Sequence, residues 1–189
     1  MRETKSIKDK YEIIIVGAGM AGLSCASALA KIGIEDVLVI EANTVSHKES
    51  SSFGRSRMFR EMYSDSQLCK LSKHSNRLWR EDESLSGKKL QTHHGLLFYG
   101  ESWGEETIEG SIPGAKKVME EQNIPFEELD YKKINNRFPL KAKENFTGLF
   151  EPMAGSINCE DAIDFWVRNA LNNGHHIVEN IKVESIDPN

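Results

Sequence analysis

The 189-residue chain holds 24 basic and 29 acidic side chains, a net charge of -5 that is scattered rather than gathered into a basic stripe with aromatics, so an electrostatic footprint for nucleic acid is missing. Its hydrophobic content of 39% and charged content of 28% describe a globular chain able to bury a core. No apolar run approaches the roughly 20 residues that a membrane span requires.

The polar opening MRETKSIKDK argues against a secretory signal. Three widely separated cysteines, Cys25, Cys69 and Cys159, fit free thiols in a reducing compartment better than a disulfide framework. Cys25 lies among small residues on an expected helix and is predicted to pack.

Residues Tyr11 to Glu41 read as one unit: a buried-strand run, Tyr-Glu-Ile-Ile-Ile-Val, then Gly17-Ala18-Gly19-Met20-Ala21-Gly22, an Ala-rich helix, and Val-Leu-Val-Ile-Glu. In this context the glycines form a dinucleotide-binding fingerprint. Gly17 permits the strand-to-helix turn, Gly19 lets backbone approach a diphosphate, and Gly22 lets the helix pack against the sheet. The helix N-terminus supplies unpaired N–H groups and a positive dipole end for the phosphates. Glu41 follows the second strand, about 20 residues after the last glycine, where a carboxylate accepts ribose hydroxyls and repels a 2′-phosphate; FAD or NAD is favoured over NADP.

A polar loop over Asn43 to Ser52 is expected at the surface or beside a ligand. Next, Ser51 to Tyr63 carries Arg55, Arg57 and Arg60 in a loop or strand, which composition alone leaves open between a solvated basic face and an anion site. Ser66 to Glu83 reads as an amphipathic helix with Leu68, Leu71, Leu78 and Trp79 on its apolar face. Gly95 to Gly100 reads as a buried strand, Ser111 to Gln122 as a helix with Pro113 in its first turn, and Asp130 to Phe138 as a short helix stopped by Pro139.

Phe146 to Glu151 is an expected strand, and a helix begins at Asn158 or Glu160 and stops at Asn172-Asn173-Gly174. His175 to Ile186 is predicted to be a strand alternating through Ile181, Val183 and Ser185. The pairs His93-His94 and His175-His176 lack a third ligand at metal spacing, so no metal is expected. Trp79, Trp103 and Trp166 are expected to pack. The chain ends as a strand finishes, where an open α/β sheet needs further elements to cover it.

Joined to the glycine loop, the pattern Ser51-Ser52-Phe53-Gly54-Arg55-Ser56-Arg57-Met58-Phe59-Arg60-Glu61-Met62-Tyr63 resembles the monomeric sarcosine oxidase family of flavoproteins, with N-methyltryptophan oxidase and pipecolate oxidase. The likeness continues through Gly95-Leu-Leu-Phe-Tyr-Gly100, Asn135-Asn-Arg-Phe-Pro139, Glu151-Pro-Met-Ala-Gly155 and Ile181 to Ile186. It implies a truncated α/β architecture of the p-hydroxybenzoate-hydroxylase-like kind, a Rossmann-like FAD-binding domain (residues 1–62 and 153–189) interrupted by an α+β part of the substrate domain (63–152). It also implies FAD as cofactor, oxidation of the C–N bond of a secondary-amine amino acid with oxygen as acceptor and peroxide as product, and a small-molecule substrate for a protein that is monomeric at full length. A cytoplasmic or peroxisomal location follows from the same resemblance.

The resemblance places Arg57 against the flavin ring as the catalytic electrostatic residue, Arg60 on the substrate carboxylate and Tyr63 in the substrate cavity. It puts Ala42, His47, Ser51, Ser52 and Met58 near the cofactor, and Val183 against the adenine. Phe53 stands where many members carry histidine, Arg55 where an acidic or amide residue is common, and Glu61 where a basic one is common. Glu61 either pairs with Arg60 and weakens carboxylate binding or favours a substrate with a second positive group. Family members are longer; their second half carries a flavin-linking cysteine, which none of Cys25, Cys69 and Cys159 matches. Two other readings stand beside the oxidase: a truncated, non-catalytic nucleotide-binding fragment and an NAD-linked dehydrogenase.

Overall fold

The computed structural model describes residues 7–101 and 110–187; Trp103 lies outside them. They form two compact units, one of residues 1–56 and 158–189 and one of Arg57–Ile157. Among the described residues no helix is long and apolar enough to cross a membrane.

The first unit is a parallel sheet with two helices. Strand β1 (Ile13–Val16) leads through the glycine turn into helix α1 (Met20–Lys31) and strand β2 (Val37–Ile40). After the excursion into the second unit, helix α5 (Cys159–Asn172) returns to strand β9 (His176–Val178). The sheet order is β1-β2-β9, all parallel, with Ile14 opposite Leu38 and Val39 opposite Ile177. Helices α1 and α5 pack together, fixed by Asn169 Nδ2 donating to Ser27 Oγ at 2.8 Å.

Central β2 is buried through Val37, Leu38 and Val39. Strand β1 departs from its predicted burial: Ile14 and Val16 are each 55% exposed, because β1 is an outer strand of this sheet and only its other face is covered. Strand β9 is also shorter than predicted. Asn180 adopts a left-handed φ of 61°, and the N–H groups of Asn180 and Ile181 turn to Asn43 O and Glu41 O, so the chain leaves the ladder before Val183. Cys25 is exposed rather than packed, since α1 buries the face of Leu23, Ala26, Ser27 and Ala30.

The second unit is α+β. Its elements in chain order are β3 (Ser56–Phe59, starting in the first unit), α2 (Ser66–Ser86), β4 (Gln91–His93), β5 (Leu96–Glu101), α3 (Ile112–Glu121), β6 (Glu127–Asp130), α4 (Tyr131–Arg137), β7 (Phe146–Glu151) and β8 (Gly155–Asn158). One sheet runs β3-β8-β4 and another β5-β7-β6, the latter antiparallel with β7 in the middle. Alternation along β7 sends Leu149 into a cluster with Met62, Cys69, Ile112 and Met119, and Phe150 into one with Leu129, Ile134 and Ala142. Gly95 is required ahead of β5: its φ is +80°, and a Cβ there would come within 2.2 Å of the Phe150 ring.

Of the four apolar positions predicted for α2, only Trp79 is buried. Cys69, Asn76, Trp79 and Asp82 point inward, whereas Leu68, Leu71 and Leu78 are exposed. The inward face is partly polar because Asn76 finds hydrogen-bond partners there, donating to Glu61 and accepting from Gln91. Trp79 and Trp166 are buried as expected.

Leu149 is 1% exposed in the middle of the central strand, so Leu149→Ala should destabilise the protein by about 2–5 kcal/mol. In urea the midpoint should fall with the slope unchanged.

Candidate functional site

The glycine turn in the first unit is built from backbone. Gly17 has φ +101° and its N–H donates to Ile40 O at 2.8 Å, which ties the turn to the end of β2. A Cβ on Gly22 would lie 1.9 Å from Gly17 O, so only glycine lets α1 start this close to the turn. Ala18 is buried, and Gly19 caps α1 in an extended conformation without a side-chain bond.

That missing cap sets α1 apart. Helices α2, α3, α4 and α5 begin with Asp65, Ser111, Asp130 and Asn158, each accepting a backbone N–H of its own first turn. α1 has no such acceptor at Gly19 and no acidic residue in its first turn, which preserves a positive N-terminus for an anionic group. One bond arrives from afar: Met20 N–H donates to Ser52 Oγ at 3.0 Å, placing the second serine of the polar loop at the helix start.

Glu41 is 7% exposed, and its two oxygens accept from Ala18 N–H at 2.8 Å and Asn43 N–H at 2.9 Å. Burial pushes its carboxyl up, but the Asn43 and Ala18 N–H groups and nearby His47 outweigh burial and hold it below its ordinary value. His47 Nδ1 lies 3.8 Å from Glu41 Oε1 and 3.1 Å from Thr44 O. An ionised carboxylate has about four acceptor sites, so Glu41 can accept a ribose hydroxyl besides these N–H groups. Sequence reading gave Glu41 the ribose alone; its role in fastening the glycine turn to the next loop is additional. Of the other expected cofactor residues in this unit, Ala21, Ala42 and Ser51 are exposed and Val183 is half-buried.

The expected substrate residues belong to the second unit. On β3, Arg57 is half-buried on the face of buried Phe59, while Met58 is 58% exposed. As neighbours on a strand, Arg57 and Met58 point to opposite faces, so the structure does not bring them together. It does bring Arg60 and Tyr63 together, with the guanidinium 4.8 Å from the ring centroid. Glu61, which the sequence leaves between two readings, accepts from Asn76 Nδ2 at 2.8 Å through its carboxylate.

Glu151 was missed as a functional candidate. It is 1% exposed and accepts from Glu61 N–H at 2.9 Å and Met62 N–H at 3.0 Å. Burial raises its carboxyl above the ordinary value, against the pull of those N–H groups; Glu61 adds to the rise and Arg60 opposes it. The available signal was the spacing of Leu149 and Glu151, which puts a charged residue on a core-facing side of a strand.

Three of the four paired histidines have ordinary side-chain partners. His93 bonds Met153 O and meets Phe59 edge-on, His175 bonds Ile34 O, and His176 bonds the Tyr11 hydroxyl.

The family described as FAD dependent oxidoreductase matches residues 12–189. The chain belongs to that family. It is similar to monomeric sarcosine oxidase of Bacillus sp. (strain B-0618), 28% identical over 94% of this chain and 45% of that protein. It is similar also to N-methyl-L-tryptophan oxidase of Citrobacter koseri, 25% identical over 94% of this chain and 50% of that protein. Among solved structures, NikD, described as an unusual amino acid oxidase essential for nikkomycin biosynthesis, superposes with a TM-score of 0.79 at 27% identity, over 90% of this chain and 43% of that one. L-proline dehydrogenase from P. horikoshii shares the fold, with a TM-score of 0.77 at 22% identity, over 94% of this chain and 46% of that one. The chain thus spans about half the length of the curated relatives it matches.

FAD is the cofactor of this family, and the uncapped α1, the close Gly17–Gly22 approach and the buried carboxylate of Glu41 fit its diphosphate and ribose.

Gly22→Ala should abolish FAD retention, because the added Cβ cannot coexist with Gly17 O; gel filtration followed by flavin absorbance checks this. The lowered carboxyl of Glu41 has a pH consequence. Its bonds contribute stability that is fully present above the ordinary value of 4.5 and is lost as pH falls through the lower folded value. Glu41→Gln should therefore melt below wild type at neutral pH, and the gap should close progressively under acid in thermal scans.

Proposed function

We propose that this chain forms the dinucleotide site and part of the substrate site of an amine oxidase acting on a secondary-amine amino acid such as sarcosine, another N-methyl amino acid or pipecolate. The observation that carries the reading is the Arg60–Tyr63 pair, a cation stacked on an aromatic ring in a chain of the FAD-dependent oxidoreductase family. When bound, FAD would accept a hydride from the carbon beside the amine and pass the electrons to oxygen as peroxide.

The chain's own residues bind and orient. The α1 N-terminus would hold the diphosphate, with Gly17, Ala18, Gly19, Met20, Ala21 and Gly22 beside it; Glu41 and Ala42 would face the ribose, and Val183 the adenine. His47, Ser51, Ser52 and Met58 would complete the cofactor contacts. Arg57 would sit against the flavin, where a fixed cation stabilises developing negative charge. Arg60 would take the substrate carboxylate in its guanidinium fork while Tyr63 forms a wall beside it. The free thiols Cys25, Cys69 and Cys159 support a cytoplasmic or peroxisomal location, and the protein is proposed to act as a monomer.

A second reading is a nucleotide-binding chain without catalysis, favoured by the exposed Ile14 and Val16 on β1. Absorbance after adding FAD and removing the excess separates the two: flavin bands with peroxide formation from sarcosine or pipecolate support the oxidase, and flavin bands without turnover, or a colourless protein, support the second reading. Arg60→Ala should raise KM for a carboxylate substrate about tenfold to a hundredfold and spare an amine lacking the carboxylate. Equal losses on both would remove Arg60 from the substrate site.

A further inference from the structure

Arg60, Glu61 and Met62 leave the end of β3 and have no regular secondary structure, yet they are held from two elements. Ser72 Oγ of α2 donates to Arg60 O. Asn76, one turn further along α2, donates to the Glu61 side chain at 2.8 Å and itself accepts from Gln91 Nε2 at 3.0 Å. From the other side, Glu151 at the end of β7 reaches the backbone: Oε1 accepts from Glu61 N–H at 2.9 Å, and Oε2 from Glu61 N–H at 3.2 Å and Met62 N–H at 3.0 Å.

We infer that Glu151 is a positioning residue, whose buried carboxylate clamps the Glu61 and Met62 amides and thereby fixes where the flanking Arg60 guanidinium and Tyr63 ring stand. The inference rests on the proposed function, which gives Arg60 and Tyr63 their substrate roles. Three geometric facts carry it. The carboxylate is 1% exposed, so water does not compete for its lone pairs. Its acceptors meet two successive N–H groups, which fixes the direction of the chain as well as its distance. The segment it holds is the one that connects the two stacked side chains, 4.8 Å apart. A guanidinium that must meet a carboxylate in register loses binding steeply when its backbone drifts.

Replacing the acid by its amide puts an NH2 donor against one backbone N–H, so Glu151→Gln removes one arm of the clamp at almost constant volume. Glu151→Asp keeps the charge and withdraws it by one methylene. The test loads the full chain with FAD and measures binding of sarcosine and of N-methylethylamine, which lacks the carboxylate, by calorimetry. Melting temperature and amide hydrogen exchange at Glu61 and Met62 are read alongside, with Arg60→Ala as the reference variant.

Glu151→Gln is expected to weaken sarcosine binding about tenfold or more, leave N-methylethylamine binding unchanged and speed exchange at both amides. Glu151→Asp is expected to fall between the amide variant and wild type. If Arg60→Ala weakens sarcosine binding and neither Glu151 variant does, the positioning role is overturned and the proposed function stands. If wild type binds no sarcosine, or Arg60→Ala binds it as wild type does, the proposed function fails and takes the positioning role with it. Should Glu151→Gln not fold, wild-type exchange and Glu151→Asp decide: Glu61 and Met62 amides that exchange like open loop, or equal losses on both ligands, overturn the clamp.

Discussion

Each unit depends on a buried carboxylate where its central strand ends. Glu41 follows β2, the middle strand of β1-β2-β9, and Glu151 ends β7, the middle strand of β5-β7-β6. Both give their lone pairs to backbone N–H groups of irregular chain: Ala18 and Asn43 in one unit, Glu61 and Met62 in the other. A loop carrying polar backbone has to find partners or face water, and a charged acceptor anchored on a rigid strand is a strong partner. Removing either acid would leave two inward-facing amides unpaired, which is why the irregular segments hold their course only while the acids are in place.

The two carboxyls nonetheless differ in ionisation. Glu41 has two N–H groups and a histidine close by, and these overcome its burial. Glu151 has comparable N–H donors but also the like charge of Glu61, and there burial prevails. The same residue type in the same kind of position is thus shifted in opposite directions, because burial outweighs the N–H groups at Glu151 and is outweighed by them at Glu41.

Much of this architecture was legible in the amino-acid order because the signals were local. The glycine spacing announced the β1–α1 turn, Pro139 stopped α4 at Arg137, and Asn172-Asn173-Gly174 ended α5. Strands β4, β6 and β8 escaped notice because each has only three or four residues and little alternation, and their existence depends on partners distant in sequence. On α2 the apolar spacing picked out Trp79, which is buried, together with Leu68, Leu71 and Leu78, which stay exposed while Asn76 turns inward to its polar partners. In the site, residue types were legible and their mutual placement was not. The pairing of Arg60 with Tyr63 across one turn of irregular chain, and the divergence of Arg57 and Met58, both follow from where β3 ends.

The distribution of the three thiols makes the chain its own reporter of local opening. Cys159 is buried in the first unit and Cys69 in the second, where burial also pushes its thiol up, while Cys25 lies open on α1. An alkylating reagent will therefore mark Cys25 at once, as an internal standard for reagent dose. The slower modification of Cys159 and Cys69 then gives two separate clocks, one for each unit, so that cooperative and independent unfolding can be told apart by mass alone.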